Sequence, residues 1–121
     1  MKPLILALAV AAMTASAGEI GGTWRLTGRV ADVAIERTCA IQQLNNRIQG
    51  PCKNAAGETT LSGEVNGKSV TWKYESKYEG ATVVLVFSGI IETDSEMKGT
   101  ITASDAGGNN TTTGSFAAKR Q

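Results

Sequence analysis

From Gly22 onward the chain alternates polar and apolar residues in short runs separated by Asn, Gly, Asp and Ser. That is the pattern of strands burying one face. It predicts eight strands, over residues 22–30, 33–44, 47–53, 59–65, 68–78, 81–92, 96–103 and 111–120. Every connection is short, so consecutive strands should pair antiparallel. A meander of eight strands loses its exposed edges by closing on itself. The fold class expected is therefore all-β, an eight-stranded antiparallel up-and-down barrel.

The turns allow a check on which way each strand faces. A two-residue turn at Asn45-Asn46 sets Cys39 opposite Cys52 at a non-hydrogen-bonded pair, where Cα atoms come close. Pro51 then falls on a hydrogen-bonding position without an N–H, so a bulge or local break is expected there. Asn66-Gly67 reads as a type I′ dipeptide, which places Val70 opposite Gly63 and Trp72 opposite Leu61. Glu79-Gly80 sets Tyr74 against Leu85, Trp72 against Phe87 and Val70 against Gly89. Both hairpins turn the same face of their shared strand inward, and this agreement weighs more than any single propensity. Thr93-Asp94-Ser95 brings Ile91 opposite Met97 and Phe87 opposite Ile101, and residues 104–110 form the last loop.

An apolar-x-Gly-x-apolar pattern recurs at Leu26–Val30, Ile48–Cys52, Leu61–Val65, Phe87–Ile91 and Met97–Ile101, with a weaker copy at Thr112–Phe116. Each glycine shares a face with its apolar neighbours. Two readings stand: the glycines allow tight coiling of the sheet, or they hollow out a cavity.

The segment before the strands is of another kind. Lys2 is followed by an apolar run from Leu4 to Met13, and Ala15-Ser16-Ala17 gives a small-x-small cleavage pattern. Residues 1–17 thus read as a signal peptide, too short to span a bilayer. No cysteine follows the cleavage position, so no lipid anchor is expected. The barrel domain is expected over 18–121, in the periplasm or secreted. Of 12 basic and 11 acidic residues, one lysine lies in the leader, so the remainder is balanced. Such a balance argues against a nucleic-acid partner. In an oxidising compartment the only two cysteines, Cys39 and Cys52, should form one disulfide.

Catalytic chemistry is scarce. The chain has no histidine, which removes the commonest general base and metal ligand. Two cysteines alone would under-ligand a metal. Glu36, Glu58, Glu64, Glu92 and Glu96 alternate mostly onto the outer face, without a converging pair. No enzyme, cofactor or metal site is expected.

The inward polar residues are more informative. Arg37 shares a face with Ile35, Cys39 and Ile41, and an unpaired charge there must sit near a mouth or meet a partner. Alternatively its stem packs while its head reaches water. Trp72, Tyr74 and Phe87 fall on one inward face, with Gly63 and Gly89 removing volume beside them. Arg37, Trp72, Tyr74 and Phe87 are therefore the candidate ligand-binding residues, since pockets join apolar walls to a few polar anchors.

Gly22-Thr23-Trp24 at the first strand resembles the Gly-x-Trp start of lipocalins, avidins and related calycin-like barrels. In those families the Trp plugs the closed end and a basic residue from a late strand stacks on it. The resemblance implies that role for Trp24, with Arg120 on the face of Phe116 and Ala118 as its partner. Val70-Thr71-Trp72-Lys73 looks like a middle avidin strand. The polar residues that hold biotin's ureido ring have no counterparts in Arg25-Leu26-Thr27, so biotin binding is not implied. The stretch from Gly22 to Gly28, with Cys39 soon after, also resembles bacterial periplasmic inhibitors of serralysin-type metalloproteases, which thread the mature N-terminus into the protease cleft. Here only Gly18 to Gly21 precedes the first strand.

Two functions follow as expectations. The first is an exported, non-enzymatic barrel that binds a small apolar or aromatic ligand. The alternative is a periplasmic protein-binding module, such as a metalloprotease inhibitor, whose interior is a filled core. An open mouth lined by Trp72, Tyr74 and Phe87 favours the first, and a dry, packed interior the second.

Overall fold

Alternation along the chain resolves into eight strands: β1 (Gly22–Val30), β2 (Val33–Leu44), β3 (Arg47–Asn54), β4 (Gly57–Asn66), β5 (Ser69–Tyr78), β6 (Ala81–Thr93), β7 (Glu96–Asp105) and β8 (Thr112–Arg120). This computed structural model describes residues 18–121, and the expected signal peptide over 1–17 lies outside the described residues. Each strand pairs antiparallel with its neighbour in sequence, and β1 also pairs with β8, from Trp24 opposite Arg120 to Val30 opposite Gly114. The sheet is a closed barrel with one face turned entirely inward. Trp24, Leu26, Leu61, Val65, Val70, Phe87, Met97 and Ile101 are almost wholly withdrawn from solvent in its core.

The turns explain the register. Asn45 takes φ 57°, a left-handed conformation that Asn tolerates, and Leu44 faces Arg47. In the same register Cys39 faces Cys52, and the two are joined by a disulfide. The β2–β3 ladder is interrupted where Ala40 and Ile41 face Gly50 and Pro51, the place where Pro51 has no N–H to give. At the other end of the barrel, Glu79 and Gly80 have φ 51° and 84°. Two successive positive values are what a type I′ turn requires.

One hairpin differs from the sequence reading. β4 and β5 pair Val65 with Val70 and Gly63 with Trp72, in place of Gly63 with Val70 and Leu61 with Trp72. The central turn residues are Gly67-Lys68, not Asn66-Gly67. Gly67, at φ 61°, occupies the first central position, where a type II′ turn wants glycine. Moving the turn by one residue slides the pairing by two, so every side chain keeps its face. The slip sets the largest side chain of β5 against a glycine. A Cβ at Gly63 would fall into the backbone of Thr71 and Trp72.

The repeated glycines serve close strand approach. Added Cβ atoms on Gly28, Gly50, Gly89, Gly99 and Gly114 would each meet a neighbouring strand's backbone oxygen. Gly89 also faces the Phe116 ring, whose Cζ would lie 2.8 Å from a Cβ there. The space those glycines release is filled by aromatic carbon and by the coiling of the sheet itself.

One end of the barrel is sealed by the chain's own residues 18–21. Ile20 is fully buried, its N–H donating to Gln43 Oε1 at 2.8 Å while Gln43 Nε2 donates to Gly18 O at 2.7 Å. Trp24 Nε1 donates to Ile20 O at 2.8 Å. Arg120 lies over Trp24, with Cζ 4.6 Å from its ring centroid, and donates to Asp94 O at 2.8 Å, Glu19 O at 3.1 Å and Gly21 O.

Two outcomes follow. Replacing both Cys39 and Cys52 with Ala should lower the unfolding free energy by about 3 kcal/mol, the scale for a cross-link closing so short a loop, as read from denaturant melts. Trp24→Ala should lower it by about 3 to 5 kcal/mol, since a large buried side chain is lost beneath the floor. An unchanged midpoint would show that the floor is not held by that ring.

Candidate ligand cavity

Above the sealed floor the interior is solid. Trp72 and Phe87 stack with centroids 5.3 Å apart, and Phe116 meets both edge-on at 5.3 Å. Contacts of this kind add about 0.5–1.5 kcal/mol to the burial of the rings. Phe116 sits opposite Gly28 on one side and Gly99 on the other. That placement carries its ring inward to the cluster. The sequence places Phe116 only on the face of Ala118 and Arg120, and its glycine neighbours follow from the pairing of β8 with β1 and β7.

Of the four candidate residues, the structure divides two from two. Trp72 and Phe87 belong to the packed middle layer and do not line the cavity. Tyr74, with its ring centroid 5.1 Å from that of Phe87, forms the upper surface of the layer, and Arg37 lies beside it. Above them opens a cavity of about 500 Å³. It occupies the end of the barrel that carries the Ala31-Asp32 and Glu79-Gly80 turns, the β3–β4 connection and the loop between β7 and β8. Its walls are apolar, from Val30, Ile35, Val83, Leu85 and Ala103, and Val33 and Tyr78 stand exposed at the rim. The β7–β8 loop is tied by Asp105, whose carboxylate accepts from Asn109 N at 2.7 Å, Gly107 N at 3.0 Å and Asn110 Nδ2 at 2.9 Å. Those bonds, the Asn109 amide foremost, hold the Asp105 carboxyl below its ordinary pKa.

Arg37 is the one charged residue in the buried core among the described residues, only 8% exposed. Its Nη1 donates to Cys52 O and to Gly57 O, each at 3.4 Å, and its Nη2 to Ser76 Oγ at 3.1 Å. Its Cζ lies 5.1 Å from the Tyr74 ring centroid. No carboxylate among the described residues is paired with it. Glu36, next in sequence, pairs with Arg25, and Asp105 is committed to its loop. A guanidinium so withdrawn from water has given up much of its hydration without a counter-charge to replace it. Its neighbour is also incomplete: the Tyr74 hydroxyl is buried and makes no hydrogen bond of good geometry among the described residues. Burial pushes the Tyr74 phenol above its ordinary 10.0, and the Arg37 charge offsets only part of that.

What these groups offer is an apolar chamber with one fixed cation, one phenol and a serine hydroxyl. Among the described residues no group of three or more His, Cys, Asp or Glu is placed to hold a metal ion.

The fold is shared with solved barrels of unrelated sequence. EF1p2_mFAP2b, in a structure bound to DFHBI, superposes with a TM-score of 0.62 at 12% identity, covering 84% of this chain and 94% of that one. A redesigned beta barrel, b11L5F_LGL, superposes with a TM-score of 0.56 at 9% identity, covering 84% and 91%. No protein-family model matches the sequence, and no curated protein matches it significantly.

The raised Tyr74 pKa has a consequence for stability. Where the unfolded chain has lost the phenol proton and the folded one retains it, folding is penalised. The contribution is fully present below pH 10.0 and is lost as pH rises through the higher folded value. Unfolding free energies measured across the alkaline range should fall in the wild type, and Tyr74→Phe should flatten that part of the slope.

Proposed function

We propose that this protein is an exported, non-enzymatic binding barrel that takes a small apolar or aromatic molecule into the cavity above Tyr74. The observation that carries this reading is the chamber of about 500 Å³ with apolar walls and an open mouth. Its size falls within the range of small-molecule sites, which set a few polar groups in an apolar lining. A barrel of the same architecture that holds DFHBI supports the reading at the level of what such a scaffold accommodates. The alternative, a protein-binding module of the metalloprotease-inhibitor kind, rests on a free N-terminal arm. Residues 18–21 weigh against it, because Ile20 is buried in the floor and the Gly18 N–H donates to Gly67 O at 3.1 Å.

Two fluorescent probes test the cavity. Either 1-anilinonaphthalene-8-sulfonate or N-phenyl-1-naphthylamine should brighten on binding the folded protein and raise its melting temperature. Free ligand at a hundred times Kd stabilises by about 2.7 kcal/mol. Ala103→Trp, which fills the chamber from β7, should abolish both effects while the barrel stays folded. No response from the wild type to either probe would remove the ligand reading and leave the protein-binding one.

A further inference from the structure

Resting on that reading of the cavity, we propose that the ligand is an organic anion: a single carboxylate on a compact apolar body, held jointly by Arg37 and Tyr74. The walls select the body and the base of the chamber selects the charge. Arg37 is a fixed cation with no acidic partner among the described residues, and the three hydrogen bonds it makes go to uncharged oxygens. Among the described residues its Nε–H makes no hydrogen bond, and Nη2 makes only the one to Ser76. Guanidinium presents its donors in a planar fork that matches a carboxylate. Tyr74, stacked against the guanidinium, adds a buried hydroxyl that also makes no hydrogen bond of good geometry among the described residues. One incoming carboxylate supplies the missing counter-charge and accepts from both groups, which a neutral ligand does only in part. An unfilled donor in a buried site disfavours the guest that leaves it unfilled.

The other charged groups at this end do not provide that counter-charge. Glu36 is engaged with Arg25 and Asp105 with its loop. Lys77, at the rim, donates to Thr82 Oγ1 at 2.7 Å and is exposed, so water screens its charge. Of the charged groups lining the chamber Arg37 is the one that is buried, while the Asp105 carboxylate lies half-buried in its wall and is turned to the amides of its own loop.

The two probes differ by one anionic group on a shared anilinonaphthalene body, which makes them the comparison required. In the protein with its disulfide intact, 1-anilinonaphthalene-8-sulfonate should bind about tenfold more tightly than N-phenyl-1-naphthylamine, the scale of a hydrogen bond to a charged group. Arg37→Gln should erase that preference by weakening the anionic probe about tenfold. Should Arg37→Gln not fold, Tyr74→Phe keeps the ring and should narrow the preference by weakening the anionic probe. Lys77→Met should leave the preference intact. Equal affinities in the wild type, or a preference that survives both Arg37→Gln and Tyr74→Phe, would overturn the anion assignment while the cavity reading stands. Binding of neither probe would instead defeat the cavity reading itself.

Discussion

The pairing of β1 with β8 turns a meander into a vessel, and everything inside depends on it. With Trp24 opposite Arg120 and Gly28 opposite Phe116, the two terminal strands complete the wall around the aromatic cluster. A two-sided sheet would leave edge amides unpaired and one apolar face open. Closure commits alternate residues of all eight strands to a single interior, so one register governs both the core and the chamber.

Within that interior three layers follow one another. Ile20, Trp24 and Arg120 make a floor, Trp72, Phe87 and Phe116 a solid middle, and Arg37 with Tyr74 the base of an open chamber. The filled layers supply the rigidity that an anchored polar group needs. Tyr74 is fixed from below by Phe87, and Arg37 is fixed by two carbonyls and a hydroxyl, so neither swings freely with solvent. A guest meets groups already oriented, which reduces the ordering that binding would otherwise require.

Much of this was legible from residues 22 to 120, and the limits have physical causes. Opposition of Cys39 and Cys52 follows from a turn at Asn45-Asn46, and Trp72 opposite Phe87 from one at Glu79-Gly80. Both expectations match the pairing observed. The Asn66-Gly67 reading failed by one residue because a lone glycine serves a type I′ or a type II′ turn, and only the backbone tells which. The failure was harmless to facing, since strand side chains repeat every two residues. The depth of each side chain along the barrel was not legible. Alternation says inside or outside, whereas the tilt of the strands decides whether Trp72 or Tyr74 lies nearer the mouth. For the same reason Arg37 was recognised as inward, but its height beside Tyr74 was not.

The floor also constrains the order in which the barrel is made. Arg120 bonds to Gly21 and Glu19 from 99 and 101 positions further along the chain. Contacts this distant in sequence form late and slowly, because a long loop must be closed before they return any stabilisation. Until β8 is in place, Gly21 and Glu19 lack their bonds from Arg120 and β1 remains a bare edge. Without the pairing of β1 with β8 the sheet has two open edges and an uncovered apolar face. The last few residues of β8 act as a latch, converting that sheet into a container that opens at the mouth above Tyr74.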